Sequence, residues 1–226
     1  MKIRVFQVNP ELDQHHTLFK SYDHAMTSAG QIDPGIYKTV FDGNVDAQDL
    51  EDVFAELNFS RPIGYNGHSL SVSDVVEIEG SGLFYCDSFG FKKLENFDVT
   101  KAEPITGYRM LVLEPHKVPY EMVFPDGLEY LQQAVGGWIE CTFPFDDNAF
   151  VIGNEEAKLI GLEGNRHING QVYAGTLLIA ADDGWGGTMD LTDEQVQKYT
   201  KRFSIPELIS PEEVQNDIWI EIMDFE

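Results

Sequence analysis

Along the first hundred residues, apolar side chains mostly follow the two-residue period of β-strands. Four stretches carry this pattern: KIRVFQV (2–8), GIYKTVF (35–41), SLSVSDVVEI (69–78) and SGLFYCDSFGF (81–91). In the third stretch, alternation would turn Leu70 and Val72 toward the core and serines such as Ser73 toward solvent. The last two strands are expected to pair around a turn at Glu79-Gly80.

Helical periodicity marks two segments of the same half. One helix is indicated within residues 18–30. The second is indicated by apolar residues at i, i+3, i+4 and i+7, namely Leu50, Val53, Phe54 and Leu57. Asp46 is a plausible N-cap of this helix, and Asp49 would fall in its first turn, where the helix dipole favours anions. Asp49, Asp52 and Glu56 would then project into solvent.

Regular spacing of apolar residues resumes after a polar stretch near residue 100 that contains a proline and a glycine. Strands are predicted over MLVLEP (110–115), WIECTFPF (138–145), NAFVIGN (148–154) and QVYAGTLLIAA (171–181). Helices are predicted over DGLEYLQQAVGG (126–137), with Leu128 inward, LTDEQVQKYTKRF (191–203) and SPEEVQNDIW (210–219). Thr192 and Gln195 form a capping-box pattern, and Ser210 precedes Pro211 as a further N-cap.

The order of these elements predicts an α+β protein of two small domains, each a mostly antiparallel sheet with one to three packed helices. The first domain would cover residues 1–98 and the second residues 108–226, with a linker at 99–107. The second domain would end in an acidic helix or tail. A chain of 226 residues has room for two domains of this size.

Charge is the property in which this chain departs most from an ordinary globular protein. It has 39 acidic and 15 basic residues, which gives a formal net charge of −24. Direct binding to nucleic acid or to an anionic membrane needs Lys and Arg, so neither is expected. The expected partner is a basic protein, although an acidic surface also serves solubility alone. The candidate partner-binding residues lie in two segments that lack bases: Asp46, Asp49, Asp52 and Glu56, then Glu212, Glu213 and Asp217.

The residue patterns that carry catalysis are absent. His68 and Ser69 are adjacent, so in a strand they would point to opposite faces, and His68 is better interpreted as a turn residue. The sequence contains no nucleophile elbow, phosphate loop or metal-ligand spacing, so no catalytic residue, metal or cofactor is assigned. One possible ligand site remains, formed by the polar residues Glu155, Glu156, Arg166 and His167.

Location is predicted from what the sequence lacks. No apolar run approaches the roughly 20 residues that span a bilayer. The start, MKIRVFQVNPELDQ, has no apolar signal-peptide core. Two isolated cysteines, Cys86 and Cys141, are expected to be reduced. A cytoplasmic protein of a bacterial host is therefore expected.

Two parts of the chain resemble known families. The string GHSLSVSDVVEI (67–78) with YCDSFGF (85–91), preceded by DLEDVFAELNFSRP (49–62), resembles the YodL-like domain. Stretches such as MLVLEPHKVPYE (110–121) and GNEEAKLIGLEGNR (153–166) resemble a domain of unknown function that often shares such genes. Neither family implies an activity or an active site. The resemblance implies a setting in plasmids, conjugative elements and phages, often near anti-restriction genes.

Three functions fit these observations. The leading hypothesis is a non-enzymatic anti-defence protein whose carboxylates mimic DNA and bind the basic nucleic-acid site of a host restriction or CRISPR effector. An alternative is an adaptor or regulatory protein in plasmid conjugation or replication, acidic only for solubility. A second alternative is a protein that binds or sequesters a nucleotide ligand.

Overall fold

The computed structural model describes residues 1–218 and divides the chain into two compact units, Met1–Gly107 and a second that begins at Tyr108. Both units combine antiparallel strands with α-helices, which confirms the α+β prediction. The predicted start of the second domain coincides with the boundary between the units. Residues 219–226, which hold the end of the predicted last helix and the acidic tail, lie outside the described residues.

The first unit is an antiparallel sheet with two α-helices. Its elements are β1 (Lys2–Val8), α1 (Tyr22–Ala29), β2 (Tyr37–Asn44), α2 (Leu50–Phe59), β3 (Val75–Ile78), β4 (Gly82–Cys86) and β5 (Phe91–Leu94). The strand order is β2-β1-β3-β4-β5, and all neighbours are antiparallel. Alternate residues of these strands, among them Phe6, Tyr37 and Tyr85, form the buried core.

The predicted strand over residues 69–78 is only half formed, because β3 begins at Val75. Ser73 was expected to face solvent, but it is fully buried and has a φ of 86°, which an extended strand does not allow. Its Oγ accepts the Phe19 N–H at 2.9 Å, and its carbonyl accepts the Tyr37 hydroxyl at 3.0 Å. Ser73 therefore joins three segments of the unit and is not a surface residue.

The predicted linker at residues 99–107 is also corrected, because most of it packs onto the first unit. Val99–Lys101 forms a short 3-10 helix, and Ala102 is buried in the core. The Glu103 N–H donates to the Tyr37 carbonyl at 2.9 Å, and the Glu103 carbonyl accepts the Thr39 N–H at 2.7 Å. This segment thus covers part of the outer edge of β2.

The second unit contains a larger sheet, a separate hairpin and three α-helices within the described residues. Its elements are β6 (Gly107–Leu113), β7 (Tyr120–Pro125), α3 (Leu128–Val135), β8 (Ile139–Thr142), β9 (Ala149–Asn154), β10 (Gly164–Ile168), β11 (Gln171–Ala174), β12 (Leu177–Asp182), β13 (Thr188–Met189), α4 (Asp193–Arg202) and α5 (Pro211–Asn216). The sheet order is β7-β6-β12-β9-β8, with β13 beside β12 and with β10 and β11 paired separately. Tyr199 and Phe203 close the core around β12.

Local signals in this unit were mostly interpreted correctly. The Thr192 Oγ1 accepts the Gln195 N–H at 3.2 Å, and the Gln195 side chain accepts the Thr192 N–H at 3.0 Å, which completes the capping box of α4. The Asn169-Gly170 sequence, which is typical of a tight hairpin turn, joins β10 to β11, with both residues at positive φ, as a type I′ turn requires. Leu128 was expected to face inward but is 52% exposed. It is the first residue of α3, whose buried residues lie at the other end of the helix.

Candidate functional site

The acidic helix of the first unit forms where the sequence predicted it, but its start is shifted. The N-cap of α2 is Asp49, and Asp46 lies three residues before it, exposed to solvent. The Asp49 carboxylate accepts the Asp52 N–H at 2.9 Å, and the Asp52 carboxylate accepts the Gln48 N–H at 3.0 Å. The first bond satisfies a backbone donor in the first turn of the helix, and the second ties the residue before the cap to the same turn, which is why Asp49 and not Asp46 is the cap.

The outer face of α2 combines carboxylates with an aromatic ring. Glu51, Ala55 and Phe59 follow one another at four-residue steps and are all exposed. Phe59 is 85% exposed, and Phe54, which was expected on the buried stripe, is 40% exposed. Glu56, which was expected to project outward, is half-buried. No basic residue occurs anywhere in this helix.

The start of α2 is a concentration of negative charge without cations beside it. Asp46, Asp49, Glu51 and Asp52 are exposed, and none forms an ion pair with a residue that the structure describes. Neighbouring like charges on a helix repel one another, and the positive end of the helix dipole offsets only part of this repulsion. A cationic surface would relieve the remainder.

The acidic residues of the second unit are arranged differently, because two of the three candidates already have cationic partners. Asp217 pairs with the Lys158 ammonium at 2.6 Å and accepts the Val172 N–H at 3.0 Å. Burial pushes the pKa of Asp217 upward, but these hydrogen bonds outweigh it and hold the pKa below its usual value. Glu213 lies 3.2 Å from the His167 Nε2. Glu212 alone is exposed and forms no ion pair within the described residues.

The possible ligand site at residues 155–167 does not assemble. Arg166 has no exposed surface, and its guanidinium donates to backbone oxygens of Asn165 and Lys117 at 2.8 and 2.7 Å. Burial lowers the pKa of Arg166. His167 follows it on the opposite side of β10, where it binds Glu207. A cavity of about 730 Å³ in this unit is lined by Glu155 but not by Glu156, Arg166 or His167, so the four residues do not form one site.

The family-like string GHSLSVSD surrounds a buried polar network instead of a reaction centre. The Gln7 carboxamide donates to the Asp74 carboxyl at 3.0 Å and to the His68 carbonyl at 2.9 Å, and it accepts the His68 N–H at 3.1 Å. The Ser71 N–H also donates to Asp74 at 2.8 Å. His68 Nδ1 lies 2.8 Å from the Ser69 carbonyl, which confirms it as a turn residue with local hydrogen bonds.

Asp74 is the most deeply placed group of this network. It has no exposed surface, and its Oδ1 has no hydrogen-bond partner within the described residues. Burial raises the pKa of Asp74 well above its usual value, because desolvation outweighs the hydrogen bonds from Ser71 and Gln7. The carboxyl group is therefore held toward its neutral form.

The GHSLSVSD string begins with glycine because the backbone at position 67 passes very close to Gln7 and Val40. A Cβ at this position would lie only 2.5 Å from the Gln7 Oε1 and 3.0 Å from a methyl group of Val40, both closer than van der Waals contact. Only glycine lets the 66–68 backbone approach Gln7 closely enough for the His68 hydrogen bonds to form.

Among residues 1–218, no group of three or more His, Cys, Asp or Glu side chains is placed to hold a metal ion. No helix in the same range is both long enough and apolar enough to cross a membrane.

Comparison with known families supports the division into two units. The family model of the YodL-like domain matches residues 2–97. The N-terminal half is similar to this family. Residues 108–204 match a second family model, described as a domain of unknown function (DUF3846), so both resemblances seen in the sequence are confirmed. No curated protein and no solved structure matches the chain. The segment that contains α5 lies beyond the second match.

Three features were not predicted from the sequence: the exposed residues Glu51 and Phe59 on α2, and the buried Gln7–Asp74 network. Glu51 is out of helical register with Asp49, Asp52 and Glu56, and Phe59 lies beyond the apolar stripe of Leu50, Val53, Phe54 and Leu57. The helical position of Phe59, two turns after Glu51, was the available signal. The Gln7–Asp74 network carries no local signal, because its two members are 67 residues apart.

Proposed function

We propose that the protein is a non-enzymatic inhibitor of bacterial defence that uses α2 to bind the basic nucleic-acid site of a host restriction or CRISPR effector. The observation that supports this function is the outer face of α2, where carboxylates without ion-pair partners in the described chain cluster at the start of the helix and the exposed Phe59 ring lies at its end. A basic protein surface complements this face in both charge and apolar area.

The charges of α2 support a partner that normally binds phosphates. Nucleases and related effectors line their grooves with Lys and Arg, which neutralise the nucleic-acid backbone. Fixed carboxylates can contact the same Lys and Arg side chains in place of phosphates. The carboxylates available for this are those of Asp46, Asp49, Glu51 and Asp52. Association driven by such charges is fast and weakens as salt is added.

The exposed aromatic side chain supports a protein interface over a purely solubilising surface. Aromatic residues are enriched in the centres of protein interfaces, where they act as anchors surrounded by polar contacts. Phe59 provides such an anchor on the helix that carries the charges, and Phe54, five residues earlier, is a second exposed ring of the same helix. An acidic surface that served solubility alone would gain nothing from these rings.

The mobile-element setting implied by the YodL-like resemblance supports a defence nuclease as the partner. Incoming plasmid or phage DNA is attacked by host restriction and CRISPR effectors, so a small acidic inhibitor has a direct use there. The adaptor alternative for conjugation or replication predicts instead that the charges of α2 are dispensable for partner binding.

The test is inhibition of DNA cleavage by purified restriction and CRISPR effectors of the host, measured across a salt series. The decisive variant is D46N/D49N/E51Q/D52N, which removes four charges but keeps the helix cap, because Asn caps as well as Asp. The matched control is E11Q/D23N/E79Q/E95Q, which removes four exposed charges of the same unit that form no ion pair within the described residues.

We expect the native chain and the control to inhibit cleavage at low salt and the α2 variant to lose inhibition. Cleavage that stays unchanged at low salt with the native chain would reject the proposal. Equal losses in both variants would reject α2 as the binding surface.

A further inference from the structure

A cavity of about 340 Å³ opens beside β1 and β2 in the first unit, on the segment that holds the buried Gln7–Asp74 network. Its polar lining consists of Gln7, Lys38, Asn66, Gly67 and His68, and the rest of the lining is apolar. No carboxylate belongs to this lining. The cavities beside Asp217, Asp147 and Asp33 all include acidic residues, as expected for a chain with a net charge of −24.

Two cationic or potentially cationic side chains reach this cavity. Lys38 is exposed on β2, directly opposite Gln7 on β1, and it forms no ion pair with the described residues. The side chain of His68 is 40% exposed, and its ring nitrogen Nδ1 is engaged by Ser69 on the protein side. The 66–68 backbone contributes Gly67 to the same lining, and the Gly67 N–H has no acceptor within residues 1–218.

The part of the lining formed by Gln7 and the His68 backbone is held in place by hydrogen bonds before any ligand binds. Only 1% of the Gln7 surface is exposed. The Gln7 carboxamide holds the His68 backbone, because it accepts the His68 N–H and donates to the His68 carbonyl. Asp74 lies behind His68, with 3.8 Å between its Oδ2 and the His68 Nδ1. A ligand therefore meets a preorganised surface and loses little binding energy to ordering of the protein.

We infer that this cavity binds the phosphate group of a small phosphorylated molecule, through Lys38, His68 and the Gly67 N–H. The volume lies near the lower end of the range for small-molecule sites, about 300–1,000 Å³, and matches a nucleotide-sized ligand better than a macromolecule. A nucleic-acid strand is disfavoured by the net charge of the chain. The raised pKa of Asp74 reduces the repulsion that an ionised carboxylate behind His68 would exert on the phosphate.

An aromatic ring beside His68 favours a nucleotide over a simple sugar phosphate. Phe19 is 56% exposed, and its ring lies 5.5 Å from the His68 ring, centroid to centroid. Bases stack on such rings with little dependence on sequence. The ligand class is therefore a nucleoside phosphate whose base contacts Phe19 and whose phosphate contacts Lys38.

The test is a titration of the ¹⁵N-labelled full chain, followed by amide chemical shifts, with inorganic phosphate and separately with adenosine monophosphate. Ionic strength is held constant with chloride. We expect saturable shifts at Gly67, His68 and Lys38 with both probes, and tighter binding of the nucleotide. Lys38→Gln should weaken binding of both probes about fivefold. Phe19→Ser should weaken binding of the nucleotide alone.

The control is Lys92→Gln, an exposed lysine on β5 at the opposite edge of the sheet, which removes the same charge away from the cavity. Linear, non-saturating shifts with both probes would overturn the inference, as would equal weakening by Lys38→Gln and Lys92→Gln. Because Lys38 is a surface residue, its replacement leaves the fold intact, and unchanged amide shifts elsewhere verify this. The cleavage assay with the α2 variants is independent, so the two proposals can fail separately.

Discussion

The carboxylate of Asp217 joins the end of α5 to two other parts of the second unit through one oxygen. This Oδ2 lies 2.6 Å from the Lys158 ammonium and 3.0 Å from the backbone nitrogen of Val172 in β11. Both side chains of the ion pair are less than one-third exposed. The pair therefore serves the fold of this unit, and Asp217 is not available to an external cation while it is formed.

Replacement of either partner should destabilise the second unit, and Asp217→Ala should do so more than Lys158→Met. The first change leaves the Val172 N–H without an acceptor as well, for a loss of about 1–2 kcal/mol in the free energy of unfolding. The second removes the ion pair and a longer hydrogen bond of 3.3 Å from the Lys158 ammonium to the Asp217 carbonyl, and it should cost about 1 kcal/mol or less. Amide hydrogen exchange of β9 and β12 across a urea series measures this unit, because both strands belong to its sheet.

Gln215→Ala is the control for this comparison, because Gln215 is exposed on the same helix and its side chain has no partner within residues 1–218. It should change stability by less than about 0.5 kcal/mol. If Asp217→Ala proved as mild as this control, the inferred structural role of Asp217 would be wrong.

His167 should make the stability of the second unit depend on pH. Its hydrogen bond with Glu207 raises the pKa of His167, and Glu213 adds to the effect from the other ring nitrogen. A raised pKa in the folded state means that the contribution is complete below the unfolded pKa of about 6.5 and is lost as pH rises through the folded value. The stabilising effect of His167 should therefore fall between mildly acidic and mildly alkaline pH.

The measurement is the thermal midpoint of the native chain minus that of His167→Gln, across this pH range. The difference should be largest at acidic pH and shrink above neutrality. His24→Gln, which changes an exposed histidine of the first unit, should show no such trend. A difference that stays constant with pH would mean that His167 does not exchange its proton between the two states as inferred.

Local sequence signals predicted most elements of the fold, because their causes lie within a few residues. The cap of α4 at Thr192 and the turn at Asn169-Gly170 depend on hydrogen bonds and φ values that neighbouring residues determine. The segments that were misjudged depend on distant partners. Ser73 is buried because Phe19 and Tyr37, far away in sequence, supply its hydrogen bonds.

The candidate site was predicted less well than the fold, for a related reason. The acidic composition of α2 was visible in the sequence, but pairing of charges was not. Asp49 and Asp217 are both acidic residues beside a helix, yet one faces solvent and the other binds Lys158. Only the three-dimensional arrangement separates acids that are free to bind a partner from acids that stabilise the fold.

The close contact between Gly67 and Gln7 should make Gly67→Ala strongly destabilising for the first unit. The added methyl group would overlap the Gln7 carboxamide, and overpacking of this kind costs about 1–3 kcal/mol. Amide hydrogen exchange of β1 and β2 measures the loss. In a double-mutant cycle, Gln7→Ala should relieve part of the penalty of Gly67→Ala, since it removes the overlapping atoms. Strict additivity would contradict the contact.

The position of the α2 N-cap is tested by comparing Asp49 with Asp46, which lies three residues earlier. Asp49→Ala removes the N-cap and should destabilise the helix by about 1 kcal/mol. Asp46→Ala removes an equal charge three residues earlier and should change stability by less than about 0.5 kcal/mol. Hydrogen exchange at Val53 and Leu57 reports both effects. A larger loss for Asp46→Ala would restore the cap position expected from the sequence.

Phe59 should contribute to partner binding without contributing to the fold. Because 85% of its surface is exposed, Phe59→Ser should leave the free energy of unfolding within about 0.5 kcal/mol of the native value. In the cleavage assay it should weaken inhibition at least tenfold, as the loss of an aromatic anchor of about 1.4 kcal/mol or more does. Its effect should persist at high salt, whereas the effect of the four-charge variant of α2 should fade as salt screens the carboxylates.

Phe89→Ser is the matched control, since Phe89 is 95% exposed in the loop between β4 and β5 of the same unit. Equal loss of inhibition from both phenylalanine variants would show that surface apolarity in general, and not the α2 face, supports binding.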